Sequence, residues 1–441
     1  MPKPKYLIVV GGTTASGKTA FAIRLAQYFN TAIVSVDSRQ FFKEMAIGTA
    51  KPTMEELNQA PHHFINHLSI HSPYSVGDFE REAIALLEKL FQQQDVVVVS
   101  GGSGLYLKAL VEGIDDFPEV PVAIREEVER TYQVEGLSWL QTTLESIDLP
   151  YYQTVDLQNP HRLIRAIAVY RASGKPFSSF LKTIAIKRAF TPIYLQLYWP
   201  RQIQYERINE RVDRMMQLGQ LEEARELYPY RHLTALQTVG YQELFDYFEG
   251  KTPLEEAVSL IKQNSRRYAK RQLTWMRRDR HWKHLHPTEW NLALQYIDLV
   301  RSDGICFKTA DETLMPVLVQ QLAEKGIVFP ERSKVDFLLA VQGEEIMAVV
   351  PIQTLKKQVL LYPICHFKPL PETAITLLRH EAIAWAEDMP IFSLILPSEK
   401  RAWEVKGFTL LPTTDIPPTV LSSVAQWLRV EPYALAFRHH P

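Results

Sequence analysis

Cysteine is almost missing from this sequence of 441 residues: Cys306 and Cys365 stand far apart, with no histidine or second cysteine at metal-ligand spacing. Neither a disulfide framework nor a zinc finger is supported, and reduced, buried thiols are expected. Long hydrophobic runs are missing as well. The N-terminal Met1-Pro2-Lys3-Pro4-Lys5 leads directly into the apolar stretch Tyr6–Val10, too short for a signal-peptide core or for a membrane span of about 20 residues. A cytoplasmic protein without membrane contact is expected. Net charge is lacking too, since 49 basic and 50 acidic residues leave a formal charge of −1. The chain does not read as disordered or as a polyanion coat, so any nucleic-acid surface has to be local. No internal repeat, low-complexity tract or flexible linker interrupts it.

What is present is an ordinary globular composition, 46% hydrophobic and 22% charged, on a chain longer than the ~250–300 residues at which single cores stop growing. At least two domains are expected. The apolar runs at 6–10, 32–36 and 95–100 alternate with segments of helical periodicity, the pattern of a parallel sheet with crossover helices. From about 115 to 190 the strand signal gives way to amphipathic helices, read as a helical insertion. A strand at 194–199, one helical run at 201–227 and another from Pro253 to about Arg280 close a first domain near residue 300. Beyond it, strand, turn and strand at 337–352, then QVLLYPI, a helix at 371–387 and IFSLIL describe a second domain mixing strands and helices, 301–441.

The sharpest local signal is Gly12-Thr13-Thr14-Ala15-Ser16-Gly17-Lys18-Thr19, a P-loop placed between a strand and a helix, which makes the first domain α/β of the P-loop NTPase type. Its glycines let backbone N–H groups converge on one anion, the helix N-terminus adds its dipole, Lys18 adds charge, and the Thr19 hydroxyl can hold Mg²⁺. Such a loop recognises a polyphosphate whatever is attached. Most examples hold nucleoside triphosphates, so an ATP-dependent small-molecule or nucleotide kinase is one reading. Against it, the third strand ends in Ser100 followed by Gly101-Gly102-Ser103-Gly104, where many such enzymes place a metal-binding acid. The acid present is Asp37, after the second strand, where open α/β sheets face their ligand; a helix N-cap is its structural alternative.

GGTTASGKT, DSRQFFKEMAIGTAKPT (37–53), GGSGLYLKAL (101–110), RINERVDRMMQLGQLEEARELY (207–228) and VGYQE (239–243) together resemble the tRNA dimethylallyltransferase family over roughly residues 5–287. The resemblance implies transfer of a dimethylallyl group from dimethylallyl diphosphate to N6 of the adenosine immediately 3′ of the anticodon, with Mg²⁺ and release of diphosphate. It implies Asp37 as general base, needed because the exocyclic amine is a poor nucleophile. Lys18, Thr19 with Mg²⁺, and Arg211 suit the departing diphosphate, whereas Arg207, one turn earlier, is readable as a surface charge. Ser103 stands where the family usually has Thr, keeping a hydroxyl for substrate or Asp37.

By the same resemblance the tRNA anticodon stem-loop is met by Asp37, Ser38, Arg39 and Gln40, by Gln158, Asn159, Pro160, His161 and Arg162, by Gln237, Thr238, Val239, Gly240, Tyr241 and Gln242, and by Ser103 and Arg125. The 237–242 segment lacks arginines often seen at its ends. Arg266, Arg267, Lys270, Arg271, Arg277, Arg278 and Arg280 add charge along a helix that carries Trp275, with a solvated face as the plain alternative. His62, His63 and His67 have no completing ligand pattern and read as packing residues. Phe41, Phe42 and Tyr106 read as core or pocket lining. A monomer is expected. The second domain resembles the GNAT acetyltransferases, with GF…DIPP as its end pattern, but Phe367-Lys368-Pro369-Leu370-Pro371 replaces the glycine turn that would hold acetyl-CoA, so a non-acetylating domain is expected. Every catalytic motif precedes residue 301, which implies that later residues are dispensable for transfer. A non-catalytic RNA-binding module is the third reading.

Overall fold

The computed structural model of the chain describes residues 3–115, 117–181, 186–277, 281–324, 335–355, 358–385, 389, 391–395, 408–410, 420 and 434–438. The described chain forms two compact units, one of residues 76–80 and 108–188, the other of the remainder.

The larger unit begins with a six-stranded parallel sheet: β1 (Tyr6–Gly12), β2 (Ile33–Ser35), β3 (His62–His63), β4 (Val96–Ser100), β5 (Thr191–Leu197) and β6 (Lys283–Leu285), in the order β3-β2-β4-β1-β5-β6. All seven residues of β1 are buried, which is why its sequence is continuously apolar: a parallel strand covered on both faces has no solvent side to alternate toward. β1 lies between β4 and β5, pairing Tyr6 with Val96 and with Thr191. Although β2 follows β1 in the chain, it lies beyond β4. The loops after β1, β2 and β4 therefore open at one carboxyl edge, the usual place for a ligand crevice.

Periodicity at 201–227 suggests one helix, but the structure has two, Arg201–Gln217 and Gln220–Leu227. Gly219 sits between them at φ +101°, a left-handed conformation that costs an L side chain strain and ends the first helix. The helix expected from Pro253 runs from Leu254 to Met276; Arg278 and Arg280 lie outside the described residues.

The helix Trp290–Asp303 leads straight into a mixed second sheet: β7 (Ile305–Thr309), β8 (Val335–Gln342), β9 (Glu345–Leu355), β10 (Gln358–Leu361), β11 (Cys365–His366), β12 (Ile391–Ile395), β13 (Thr409–Leu410) and β14 (Ala434–Arg438). The order is β13-β14-β12-β10-β9-β8-β7, with β11 on β9, and the helix Glu372–Trp385 packs against β8 and β9. β7 has no counterpart among the strands expected from the sequence. Of the GF…DIPP pattern only 408–410 are described. One cluster of buried side chains continues from Val10 and Leu25 through Tyr296 and Ile297 to Phe307, Ala348 and Leu377. Cys306 and Cys365 are both free thiols, on β7 and β11.

The smaller unit is helical, as the periodicity at 115–190 implies. The helical stretch Val122–Ile147, broken by a kink at Gly136 (φ +80°), and the helix Pro160–Ser173 bury Val128, Leu140 and Leu144 with Leu163 and Ile167. Asp148 pins the turn between them. It accepts the Tyr151 and Ser178 N–H groups at 3.2 and 2.7 Å and the Ser178 hydroxyl at 2.6 Å.

Candidate active site

At the carboxyl edge of the first sheet, the loop after β1 turns its carbonyls toward side-chain donors. Lys18 Nζ donates to the Thr13 carbonyl at 2.6 Å, Gln204 Nε2 to Thr14 at 2.7 Å, Arg207 Nε to Ala15 at 3.0 Å and Trp199 Nε1 to Ser16 at 3.2 Å. With the carbonyls held this way, N–H groups remain for a ligand. Thr14 N–H is spent on Gln272 Oε1 (2.8 Å) and Ser16 N–H on the Thr13 carbonyl (3.2 Å). Among the described residues, the N–H groups of Ala15, Gly17, Lys18 and Thr19 have no protein acceptor.

These residues line a cavity of about 570 Å³ together with Asp37, Gln40, Ser100, Arg207, Arg211 and Tyr268. Burial, with the neighbouring Arg211 guanidinium, lowers the Lys18 ammonium to about 8, while Asp37 opposes the shift. Burial lowers Arg211 as well, again opposed by Asp37. The cavity wall carries the basic Lys18, Arg207, Arg211 and Arg214 against the carboxylates of Asp37, Glu56 and Glu210, an excess of positive charge that favours entry of a polyanion. Tyr268 contributes a phenol whose pKa is raised to about 12, by burial first and by the Asp37 charge second.

Asp37 does not cap a helix. Its Oδ1 accepts the Arg39 N–H at 3.1 Å in a turn, fixed because Val36 N–H and the Ser103 N–H bond to the Ser100 and Val36 carbonyls. Ser103 holds this turn rather than Asp37 itself: its Oγ accepts the Ser38 N–H at 3.0 Å and donates to Ser38 Oγ at 3.2 Å. Arg39 is engaged too, donating to the Thr234 and Ala235 carbonyls at 2.9 Å each. Gln40 Nε2 lies 3.4 Å from the Thr49 and Ala50 carbonyls.

The 237–242 segment divides. Gln237, Thr238, Val239 and Gln242 are at least partly exposed, whereas Gly240 and Tyr241 are buried. Tyr241 cannot offer its side chain to an RNA; its hydroxyl donates to Glu223 Oε1 at 2.6 Å, and Glu223 also accepts the Ala46, Ile47 and Gly48 N–H groups at 2.7–2.9 Å. Arg125 and Gln158–Arg162 lie in the smaller unit. Arg125 pairs with Glu129 at 2.9 Å, Asn159 caps the helix that starts at Pro160 by accepting the Arg162 N–H, and His161 and Arg162 are exposed.

On the helix Leu254–Met276, Arg267, Lys270 and Arg271 are exposed, as is Arg277 beyond its end, but Arg266 bonds Asn209 at 2.6 Å. His67 sits among the rings of Phe41, Phe64 and Tyr74, and no metal-holding cluster of His, Cys, Asp or Glu exists among the described residues. Phe41 and Phe42 are core, as expected of packing residues.

Sequence reasoning missed Gln204, Gln272, Tyr268 and Glu223 and took Arg207 as a surface charge. The signal was periodic rather than chemical: Gln204, Arg207 and Arg211 share one helix face, and Tyr268 and Gln272 are four apart.

The sequence model described as IPP transferase matches residues 40–279. The tRNA dimethylallyltransferase of Christiangramia forsetii is 55% identical over 274 residues, which are 62% of this chain and 91% of that protein. The chain belongs to the IPP transferase family. Among solved structures, the tRNA isopentenylpyrophosphate transferase of Bacillus halodurans is 31% identical, with a TM-score of 0.50 over 69% of this chain and 98% of that one. A eukaryotic dimethylallyltransferase acting on tRNA shares the fold, with 24% identity and a TM-score of 0.56 over 74% of this chain and 82% of that one. The family match takes in Arg211 and Gln272, while the P-loop and Asp37 precede it. No helix among the described residues is long and apolar enough to cross a membrane.

Proposed function

We propose that this chain transfers the dimethylallyl group of dimethylallyl diphosphate to N6 of the adenosine immediately 3′ of the anticodon in tRNA and releases diphosphate. The observation that carries the proposal is the confinement of Lys18, Arg211 and Asp37 in one cavity with the unpartnered loop N–H groups. In the reaction the amine nitrogen forms a bond to the allylic carbon as the bond from that carbon to the diphosphate oxygen breaks. The proton leaves the nitrogen for the Asp37 carboxylate. Negative charge grows on the diphosphate, where Lys18, Arg211 and the N–H groups of Ala15, Gly17, Lys18 and Thr19 are already oriented.

Mg²⁺ fits this donor set. The Thr19 hydroxyl has no protein partner among the described residues, and Mg²⁺ characteristically takes one or two protein groups plus phosphate oxygens and water. Thr19 would hold it, and the ion would neutralise the leaving group further. The exposed Arg267, Lys270 and Arg271 supply local charge for an RNA backbone on an otherwise neutral chain. In this reading the protein works as a cytoplasmic monomer.

The test is incubation of the full chain with labelled dimethylallyl diphosphate and tRNA. Label should enter the tRNA without consumption of ATP. Transfer of a γ-phosphate in place of the prenyl group would overturn the proposal in favour of a kinase.

A further inference from the structure

We propose that Gln272 limits the loop to two phosphates by removing Thr14 N–H from the anion cradle, an inference that rests on the diphosphate-donor reading above. Gln272 is buried, with its amide between two fixed backbone groups: Oε1 accepts the Thr14 N–H at 2.8 Å and Nε2 donates to the Gly102 carbonyl at 3.1 Å. One of these groups can only donate and the other can only accept, so a primary amide satisfies both, and a carboxylate or an alkyl group does not. The fit is close. A Cβ on Gly102 would lie 2.2 Å from Gln272 Nε2, so a residue with a side chain at 102 would expel the amide.

The consequence follows from the direction of the loop. A polyphosphate on such a loop runs from the helix N-terminus, at Gly17, Lys18 and Thr19, back toward the loop's start. The next phosphate meets Ala15 and the Lys18 ammonium. A third would need Thr14 N–H, which Gln272 holds. The carbonyl of the same peptide, on Thr13, is held as well, accepting Lys18 Nζ at 2.6 Å and the Ser16 N–H at 3.2 Å, so that peptide does not rotate freely to release the Thr14 N–H. Gln272 thereby acts through Thr14 as a specificity residue and does not touch the reacting atoms.

The experiment is calorimetric titration of the full chain with inorganic diphosphate and with inorganic tripolyphosphate, each as its magnesium salt. The wild-type protein should favour diphosphate. In Gln272→Ala, Thr14 N–H becomes available to a third phosphate, and the preference should shrink by about tenfold, the value of one charge-assisted hydrogen bond. Gln272→Glu keeps an acceptor for Thr14 N–H, so both anions should bind more weakly while the preference persists. A preference unchanged in Gln272→Ala, with its thermal melt intact, overturns the proposal. Should that variant not fold, the wild-type amide signals decide: diphosphate should shift those of Ala15, Gly17, Lys18 and Thr19 and leave Thr14 largely unmoved, and a dominant shift at Thr14 sinks the idea. Absence of prenyl transfer with these binding results intact would remove the donor reading and leave the role of Gln272 standing. Transfer with an unaltered preference would do the reverse.

Discussion

Lys283 Nζ and Glu381 Oε2 meet at 2.9 Å with side chains 0% and 2% exposed, joining the edge strand β6 of the first sheet to the helix Glu372–Trp385 of the second. Around them, the His284 N–H and Nδ1 reach Glu381 at 2.9 and 2.6 Å, and His380 links Lys283 to Glu289 at 2.9 and 2.8 Å. Removing one member of such a pair strands a buried charge, so Glu381→Ala should destabilise the protein by about 3–5 kcal/mol, measured by urea or thermal unfolding. Truncation after Asp303 should lower the melting temperature for the same reason, besides uncovering the core at Tyr296 and Ile297. The expectation that residues beyond 301 are dispensable then applies to chemistry and not to stability: the truncated chain should transfer prenyl groups only below its lowered melting point. An unchanged melting temperature would show that the junction contributes nothing.

The same pair sets a pH dependence. The Glu381 carboxyl is held down to about 2, the Lys283 and His284 charges and hydrogen bonds outweighing the burial that opposes them. A depressed folded pKa contributes stability that is complete above the unfolded value of about 4.3 and is lost as pH falls below it. Unfolding free energy should therefore decline between about pH 5 and 2, and Glu381→Gln should flatten that decline. A slope identical in the variant would assign the acid sensitivity elsewhere.

Asp37→Ala should lower turnover by ~10²–10⁴ and leave tRNA affinity largely intact, because the proton acceptor is lost while the turn is retained by Ser103 and Arg39. Turnover within about threefold of wild type would remove Asp37 from that role.

Lys18→Ala and Arg211→Ala should each weaken donor binding and kcat together, since the diphosphate gains charge as it leaves. In the free enzyme the Lys18 ammonium titrates near 8. Its charge is lost as pH rises through that value, so kcat/KM for the donor should fall above pH 8, and Lys18→Arg should move the fall to higher pH. A change in tRNA affinity alone would show that neither residue serves the diphosphate.

Charge reversal at Arg267, Lys270 and Arg271 should weaken tRNA binding and reduce the slope of log affinity against log salt by roughly one for each phosphate that is no longer neutralised. An unaltered slope would put the RNA on another face.

Acetyl-CoA should not bind the full chain. The Phe367 and Lys368 N–H groups are both used on the Met347 carbonyl, at 2.9 and 3.0 Å, and Pro369 and Pro371 have none to give. No glycine turn opens a cradle at the helix that starts at Glu372. Micromolar binding by calorimetry would contradict this.

The sequence by itself determined the elements that depend on neighbours in the chain. The P-loop was legible because one run of eight residues makes the whole cradle, and the buried strands because burial on both faces leaves a continuous apolar run. Asp37 and Arg211 were legible as residue types matching a family pattern. Tertiary structure decided which polar groups remain available. Gln204, Arg207 and Gln272 are ordinary helix residues in sequence, and they become the clamps of the loop because two helices pack beside it and bring amide and guanidinium groups to fixed carbonyl and N–H partners. Tyr241 looked like a contact for RNA and is buried against Glu223, since a side chain's orientation is set by what packs over it. The junction at Lys283 and Glu381, nearly a hundred residues apart, could not be read from either end: a buried charge is tolerated only where a distant partner of opposite sign arrives, and only the fold says which one does.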